Sequence, residues 1–513
     1  MIFMNKTYHK ACTIFVAITF LWAGLYMLCS QLFVLFKPKY LLIYKNEIMF
    51  PVHIISIIII CVILKIIMDG KNNISIKTAI IALIILAALP RVYLLFNVSI
   101  EQASDYATYL VNSISIYENF SVSPEWQLYF GAVAANVPII CGIFAFGFKL
   151  FGTSLAVGLF MNVFFYTGAV VALYLIALRF SAPNTAFLTA AIYALWPNNI
   201  CYSVSMSSEP MYIFFLFGGL ALFIYGLQIR GIMLWVSTIL SGIVLGLSQA
   251  IRPVTVLFMF SIGLVLLFYC KQEPAASSSH PFKQRLVILS TLIAAYVITL
   301  WGLGLYTGRI LPIVSKPSYG WSVFEGANIN TYGQWDPRST DIQDLVIAQY
   351  PLERVQKVLL EKGIERIKSY DSTTIAVLMA NKTSNIFGNS DTFFRDLRDS
   401  ITLPSTIVKS ESAAAAILTW GELSFWLYKM LALSFLYICC KCLYFMATKQ
   451  EWGSVNRLFI MILPVCGIMA VHLLVTSIER YNYPAIPIMI MICMTYFEKK
   501  SFTFILKKDG LSG

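Results

Sequence analysis

Charge is scarce in this chain, and its scarcity limits the classes of protein to consider. Only 12% of the 513 residues are charged, whereas 59% are hydrophobic. A soluble domain of this size cannot bury so much apolar surface, so the composition predicts a polytopic membrane protein. The formal net charge of +12 comes from basic residues that are scattered between apolar runs. Membrane topology and anionic headgroups explain this distribution better than nucleic-acid binding does.

Two further absences narrow the function. The chain has no glycine-rich phosphate loop followed by Lys-Ser/Thr, which argues against an ATP-driven pump. No cysteine occurs between Cys270 and Cys439, although the whole chain has eleven. The long polar segment in that interval therefore cannot contain a disulfide. Since the cysteines lie in or beside apolar runs, we expect them to be small buried hydrophobes.

Apolar runs of spanning length predict an all-α membrane protein with about twelve transmembrane helices. We place these near residues 11–36, 51–69, 78–98, 154–178, 184–204, 210–228, 232–250, 254–270, 286–306, 422–447, 457–477 and 482–497. With a cytoplasmic N-terminus, most basic loop residues fall on the cytoplasmic side, as the positive-inside rule requires. The main exceptions are Lys37, Lys39 and Lys45. We therefore expect both termini to be cytoplasmic.

The apolar stretch 128–150 breaks this alternation, because counting it as a span would place the later basic loops outside. We expect it to lie in the outer interface. A second outer segment, 308–420, has apolar residues at helical spacing and is expected to form a small, mainly helical outer domain. The predicted units are three N-terminal helices (1–98), an outer catalytic loop with the interfacial helix (99–153), a transmembrane core (154–307), the outer domain (308–420), and C-terminal helices with a cytoplasmic tail (421–513).

Charged side chains recur at the outer ends of the predicted helices. Asp105 follows the third helix, Glu209 begins the sixth and Arg252 ends the seventh, while Glu479 and Arg480 lie between the last two. Each has a structural explanation on its own: a carboxylate can cap or begin a helix, and an arginine can extend to lipid headgroups. Together at one depth of the membrane, they indicate a functional site.

Several short motifs accompany these charges in a fixed order. They are Ser104-Asp105 with Tyr109, Leu150-Phe151-Gly152, Leu195-Trp196-Pro197-Asn198 followed by Glu209, Arg252-Pro253, the segment from Gly326-Ala327-Asn328 to Gly333-Gln334-Trp335, and Glu479-Arg480-Tyr481. In this order the chain resembles the GT-C class of integral-membrane glycosyltransferases, close to the protein-O-mannosyltransferase and aminoarabinose-transferase families. The resemblance implies the GT-C fold and a sugar donor linked to a polyprenyl phosphate. It covers residues 91–335 and 475–497.

The chain departs from that class in two respects. Two additional helices precede the one that leads into the catalytic loop, and the interfacial segment lacks the histidine that is found there in some relatives. Some relatives hold a divalent metal with a carboxylate and a histidine. The four histidines of this chain, His9, His53, His280 and His472, do not lie in the predicted catalytic loops. We therefore expect no metal and no other cofactor.

Transfer of a sugar from a lipid phosphate to a hydroxyl needs a base for the hydroxyl proton and a cation for the leaving phosphate. Asp105 is the predicted general base, and Glu209 is the second predicted catalytic residue. Arg252 and Arg480 are predicted to bind the donor phosphate, because guanidinium can hold phosphate oxygens bidentately. The predicted sugar or acceptor contacts are Tyr106, Tyr109, Asn328 and Glu479. The expected function is that of an inverting, polyprenyl-phosphate-sugar-dependent glycosyltransferase in cell-envelope glycan biosynthesis.

Other classes remain open from the sequence. A lipid-glycan flippase or transporter would also have about twelve helices, but it would be expected to show inverted repeats and charges near the midplane. An O-antigen polymerase or ligase would share a large outer loop with arginines, and a non-catalytic scaffold is the third alternative. The acceptor could be a glycan, a lipid or a protein, and no nucleic-acid partner is expected. The absence of the extra domains of eukaryotic protein mannosyltransferases favours a bacterial plasma membrane, with the active site on the outer face.

Overall fold

Long helices make up most of the computed structural model. It describes residues 2–35, 67, 70, 73–269, 281–311, 319–390, 397, 407–448 and 452–498. One large cluster of buried apolar side chains runs through the helical bundle. A second, small cluster lies in the segment between the long helices.

The helices are numbered in chain order within the described residues. They are α1 (Ile2–Leu35), α2 (Ile76–Asn97), α3 (Asp105–Asn119), α4 (Pro124–Ala132), α5 (Val137–Phe151), α6 (Leu155–Ala177), α7 (Pro183–Ala194), α8 (Pro197–Cys201), α9 (Glu209–Gly226), α10 (Ile232–Ile251), α11 (Thr255–Leu264), α12 (Phe282–Ile310), α13 (Gly320–Gly326), α14 (Pro337–Gln349), α15 (Leu352–Lys368), α16 (Ser372–Phe387), α17 (Glu411–Thr448), α18 (Trp452–Leu474) and α19 (Ala485–Phe497). Two short strands, β1 (Val98–Ser99) and β2 (Ile407–Val408), pair antiparallel.

Seven helices of the described chain are long and apolar enough to cross a membrane. Their spanning segments are Thr13–Phe33, Ile76–Asn97, Leu155–Ala177, Glu209–Gly226, Ile232–Ile251, Phe282–Ile310 and Thr419–Thr448. Shorter apolar helical segments occur at Val137–Phe151, Thr255–Leu267, Leu458–Leu474 and Ala485–Phe497. The prediction of an all-α, multi-pass membrane protein is therefore confirmed, whereas the count of twelve spans stays a prediction. The predicted span 51–69 lies almost entirely outside the described residues.

The predicted helix 184–204 is the clearest difference from the sequence-based expectation. It is broken after Ala194, and a new short helix begins at Pro197. Proline lacks an N–H and disfavours helical backbone in the residue before it, so Trp196 is extended (φ −62°, ψ 116°). The carbonyl at the end of α7 is instead satisfied by the side chain of Arg91, whose Nη1 donates to Ala194 O at 3.0 Å.

The interfacial stretch also differs in detail, since it forms two helices, α4 and α5, rather than one. The turn between them contains Asn136, whose Nδ2 donates to Ile251 O at 3.0 Å. This bond ties the turn to the residue directly before Arg252. The predicted placement of α4 and α5 in the membrane interface stays a prediction.

The two predicted outer segments pack against each other. Ala132 at the end of α4 belongs to the small apolar cluster with Phe324, Val355 and Leu359 of the second segment. Gln356 Nε2 donates to Ala132 O at 2.9 Å, which adds a polar contact between α15 and α4. The described residues of 308–420 include helices α13 to α16, whereas their assignment to an outer domain stays a prediction. The short β1–β2 pairing connects the chain at the start of the predicted catalytic loop to the chain just before α17.

Candidate active site

Asp105 is the first residue of α3, and its carboxylate does not cap that helix. Ser104 occupies the N-cap position without a side-chain cap hydrogen bond. Its backbone has φ 51° and ψ −129°, a region that non-glycine residues seldom adopt and that is frequent at functional sites. Asp105 Oδ2 instead pairs with Arg480 Nη2 at 2.8 Å. The structure therefore does not support helix capping as the role of this carboxylate.

Glu209 and Arg252 form the second ion pair. Glu209 begins α9, Arg252 directly follows α10, and their side chains meet at Arg252 Nη2 and Glu209 Oε1 (2.5 Å). The same guanidinium nitrogen donates to Ser208 Oγ at 3.0 Å. The Glu209 side chain is only 2% exposed, whereas that of Asp105 is 42% exposed. Two carboxylates in one site thus have very different access to solvent.

Tyr481 connects the two ion pairs. The Cζ atoms of Arg252 and Arg480 each lie 5.8 Å from the centre of its ring. The Nε atoms of both arginines are buried and have no hydrogen-bond acceptor among the residues that the structure describes. The arrangement therefore places two guanidinium groups, whose side chains are partly exposed, beside an accessible carboxylate. Such a site can bind a phosphate and accept a proton next to it.

The predicted aromatic contacts lie close to these charges. Tyr109 is buried, and burial is the main reason why its pKa is raised. The charge of Asp105 raises this pKa further, while Arg252 and Arg480 lower it. Tyr106, one residue after Asp105, is partly buried. Tyr109 thus borders both ion pairs, although its burial suits support of the site better than direct contact with a sugar.

A tyrosine outside the predicted set also borders the site. Tyr129 lies on α4, and burial raises its pKa to about 12, with Asp105 the next contributor and Tyr481 the one after it. Its ring is also near those of Trp126 and Phe130. The aromatic residues at the beginning of the interfacial stretch are visible in the sequence. Their spacing, however, does not indicate that Tyr129 lies near Asp105.

The loop that carries Arg480 is fixed by backbone hydrogen bonds to the outer segment. Ser477 N donates to Gly333 O at 2.8 Å, and Thr476 N donates to Ser322 O at 2.9 Å. Gly326 approaches this loop so closely that a Cβ atom there would lie 2.5 Å from the carbonyl carbon of Val475. Only glycine permits this approach without a shift of the backbone.

Two predicted contact residues, Asn328 and Glu479, are buried in the described structure. Asn328 Nδ2 donates to Asp336 Oδ2 at 3.2 Å, and its Oδ1 accepts from Asn330 N at 3.1 Å. These bonds stabilise the turn after α13. Glu479 is buried at 7% exposure. The structure therefore brings together Asp105, Glu209, Arg252 and Arg480 with the two tyrosines of α3, and it gives Asn328 a local structural role.

Three further residues that shape the site are not among those predicted from the sequence. Ser208 binds Arg252, Tyr481 lies beside both arginines, and the ring of His472 stacks on Tyr481 with centroids 5.2 Å apart. The motif that contains Tyr481 was recognised without a role for the tyrosine. His472 lies in the last turn of an apolar helix, where a histidine does not by itself indicate a contact with the loop that follows.

Comparison with known proteins gives structural neighbours only. No family model and no curated protein matches the chain. The archaeal oligosaccharyltransferase AglB from Archaeoglobus fulgidus, in complex with an inhibitory peptide and a dolichol-phosphate, is 12% identical with a TM-score of 0.45. That match covers 85% of this chain and 52% of the AglB chain.

Two further structures are of an oligosaccharyltransferase from the same organism. The apo form is 13% identical, with a TM-score of 0.44 and coverage of 81% of this chain and 50% of its own. The form tethered by a disulfide to an acceptor peptide with the NVT sequon is 11% identical, with a TM-score of 0.43 and coverage of 81% and 49%. The chain thus spans about half the length of these neighbours.

Proposed function

We propose that this protein is an inverting membrane glycosyltransferase that moves a sugar from a polyprenyl-phosphate donor to a hydroxyl group of an extracytoplasmic acceptor. One observation carries the proposal. Four charged residues that are separated by up to several hundred positions meet as two ion pairs beside the same tyrosine ring. A structural role at each helix end does not require them to meet, whereas binding of a lipid phosphate beside a base does.

The phosphate of the donor binds to Arg252 and Arg480. The side chains of both arginines are partly exposed beside the same ring, which supports this role, since a phosphate oxygen accepts hydrogen bonds from more than one guanidinium nitrogen. Arg480 then exchanges its contact with Asp105 for a contact with the phosphate. The side chains of this pair are 25% and 42% exposed, so the exchange does not require opening of the protein core.

The two carboxylates take different roles. Asp105, released from Arg480, accepts the proton of the acceptor hydroxyl while the hydroxyl oxygen bonds to the anomeric carbon. The bond between that carbon and the phosphate oxygen breaks in the same displacement, and polyprenyl phosphate leaves with the electron pair. Glu209 is too deeply buried for an acceptor hydroxyl, and its contact with Arg252 suits orientation of that guanidinium. General-base help of this kind is typically worth about 10²–10⁴-fold.

Tyr106 remains the proposed sugar contact, because it is partly buried and adjacent to Asp105. The acceptor, a glycan, lipid or protein of the cell envelope, approaches from the outer segment. The packing of α15 against α4 supports a shared outer face for the two loops. On this proposal the protein resides in a bacterial plasma membrane with both termini in the cytoplasm.

The decisive experiment uses the purified full-length protein with a panel of polyprenyl-phosphate sugars. Release of polyprenyl phosphate from one donor, dependent on Asp105, is the expected result. Translocation of a lipid-linked glycan without cleavage of the sugar–phosphate bond would replace this proposal with the flippase alternative. Turnover of only diphosphate-linked donors would instead favour an O-antigen polymerase or ligase.

A further inference from the structure

A buried histidine lies behind the two arginines of the candidate site. His472 is in the last turn of α18, only 4% exposed, and its ring is nearly parallel to that of Tyr481, at 17° and 5.2 Å between centroids. The Tyr481 ring in turn lies 5.8 Å from the guanidinium carbons of Arg252 and Arg480. The Tyr481 ring is therefore next to both the imidazole and the two guanidinium groups.

The backbone fixes the imidazole in this position. His472 Nδ1 lies 3.0 Å from Thr476 O, so the tautomer that donates from Nδ1 satisfies this carbonyl at the end of α18. Thr476 is itself bonded to Ser322 of the outer segment through its backbone N–H at 2.9 Å. His472 therefore belongs to the same rigid connection that holds the Arg480 loop.

Two guanidinium groups beside one ring repel each other, and their carboxylate partners offset only part of this repulsion. An aromatic face attracts cations, and it does so in a fixed geometry only if the ring itself cannot turn. Tyr481 is only partly buried, and its nearly parallel contact with His472 covers one part of the ring. A neutral imidazole provides this contact without adding a third positive charge.

Resting on the glycosyltransferase function proposed above, we propose that His472 is a positioning residue that acts through Tyr481 to set the spacing of the two phosphate-binding arginines. It does not touch the substrate and is not a metal ligand in this role. Its contribution is to the affinity for the lipid phosphate and not to the proton transfer at Asp105.

The test measures binding of polyprenyl phosphate, together with KM and kcat for the identified donor. His472→Ala is expected to weaken polyprenyl-phosphate binding and to raise the donor KM by about three- to tenfold, the range of one aromatic–cation contact, while kcat stays within about twofold. His472→Phe keeps a flat ring and is expected to restore most of the affinity, although it loses the bond to Thr476. Met469→Ala, at a fully buried position of the same helix, is the control for general loss of packing and should leave KM unchanged.

A double-mutant cycle distinguishes a positioning role of His472 from a purely structural one. If His472 acts through the arginines, His472→Ala should weaken binding much less in an Arg480→Ala background than in the wild-type background. Equal effects in both backgrounds, or no rescue by His472→Phe, would overturn the proposal. Wild-type protein that binds no polyprenyl phosphate would refute the proposed function itself, whereas wild-type binding with an unaltered His472→Ala variant would refute only this inference.

Discussion

Replacement of Asp105 by asparagine separates catalysis from structure more sharply than any other single change. The substitution keeps the size of the side chain, and asparagine is acceptable at the start of a helix. The lost ion pair with Arg480 is partly exposed on both sides, and such a pair contributes about 0–1 kcal/mol to the free energy of unfolding. We therefore expect the variant to be inserted and folded, with a thermal midpoint close to that of the wild type.

Turnover should respond very differently. An amide cannot accept the acceptor proton, so we expect a loss of about 10² or more in kcat, which corresponds to about 2.7 kcal/mol in the activation barrier. That figure exceeds what the ion pair can account for. Binding of polyprenyl phosphate should be unchanged or tighter, because Asp105 no longer competes with the phosphate for Arg480.

The assay measures three quantities on the same purified preparations: polyprenyl-phosphate affinity, donor turnover, and the anomeric configuration of the product. Glu101→Gln is the matched control, since this exposed carboxylate lies four residues before Asp105 in the same loop. Inversion at the anomeric carbon is expected for the wild type. Wild-type turnover in Asp105→Asn, or a loss of turnover that is matched by an equal loss of donor binding, would refute the assignment of Asp105 as the base.

Three further predictions concern other parts of the molecule. Arg252→Ala and Arg480→Ala should each weaken donor binding. Replacement by lysine should restore the affinity only in part, because an ammonium group cannot bind phosphate in a bidentate manner. Unchanged donor affinity in both alanine variants would exclude these arginines from the phosphate site. Cysteines introduced at the exposed positions Asn119 and Asp341 should both react with an impermeant thiol reagent in intact cells, and protection of only one would contradict the predicted topology. Burial lowers the pKa of Lys382 from 10.5 to about 7, so its unfolded state binds more protons between these pH values. The free energy of unfolding should therefore rise from about pH 7 towards pH 10 relative to Lys382→Met, and parallel pH profiles of the two proteins would argue against this burial.

The chain's hydrophobic pattern determined the class and most of the helices. Apolar runs of spanning length require helices in a bilayer, because no other open structure satisfies the backbone hydrogen bonds there. The bounds of α2, α6 and α10 accordingly lie within two residues of their predicted ends. The short motifs also located the charges that meet in the site, since each one interrupts an apolar run at a helix end.

The pattern failed where a local rule competed with hydrophobicity. The run 184–204 looked continuous, yet Pro197 forces a break that Arg91 then stabilises from another helix. The interfacial stretch likewise contains a turn at Asn136, which is fixed by a contact with Ile251 more than a hundred positions away. Neither partner could be identified from the local sequence.

Only the tertiary structure decided which charges pair and which carboxylate is accessible. Asp105 and Glu209 are equivalent as sequence features, because each is an acidic residue at the start of a helix. Packing leaves the Asp105 side chain 42% exposed and pairs it with Arg480. It leaves the Glu209 side chain 2% exposed and pairs it with Arg252. Such contacts arise from residues far apart in the chain, so their geometry depends on how the helices pack and not on the order of residues within any one of them.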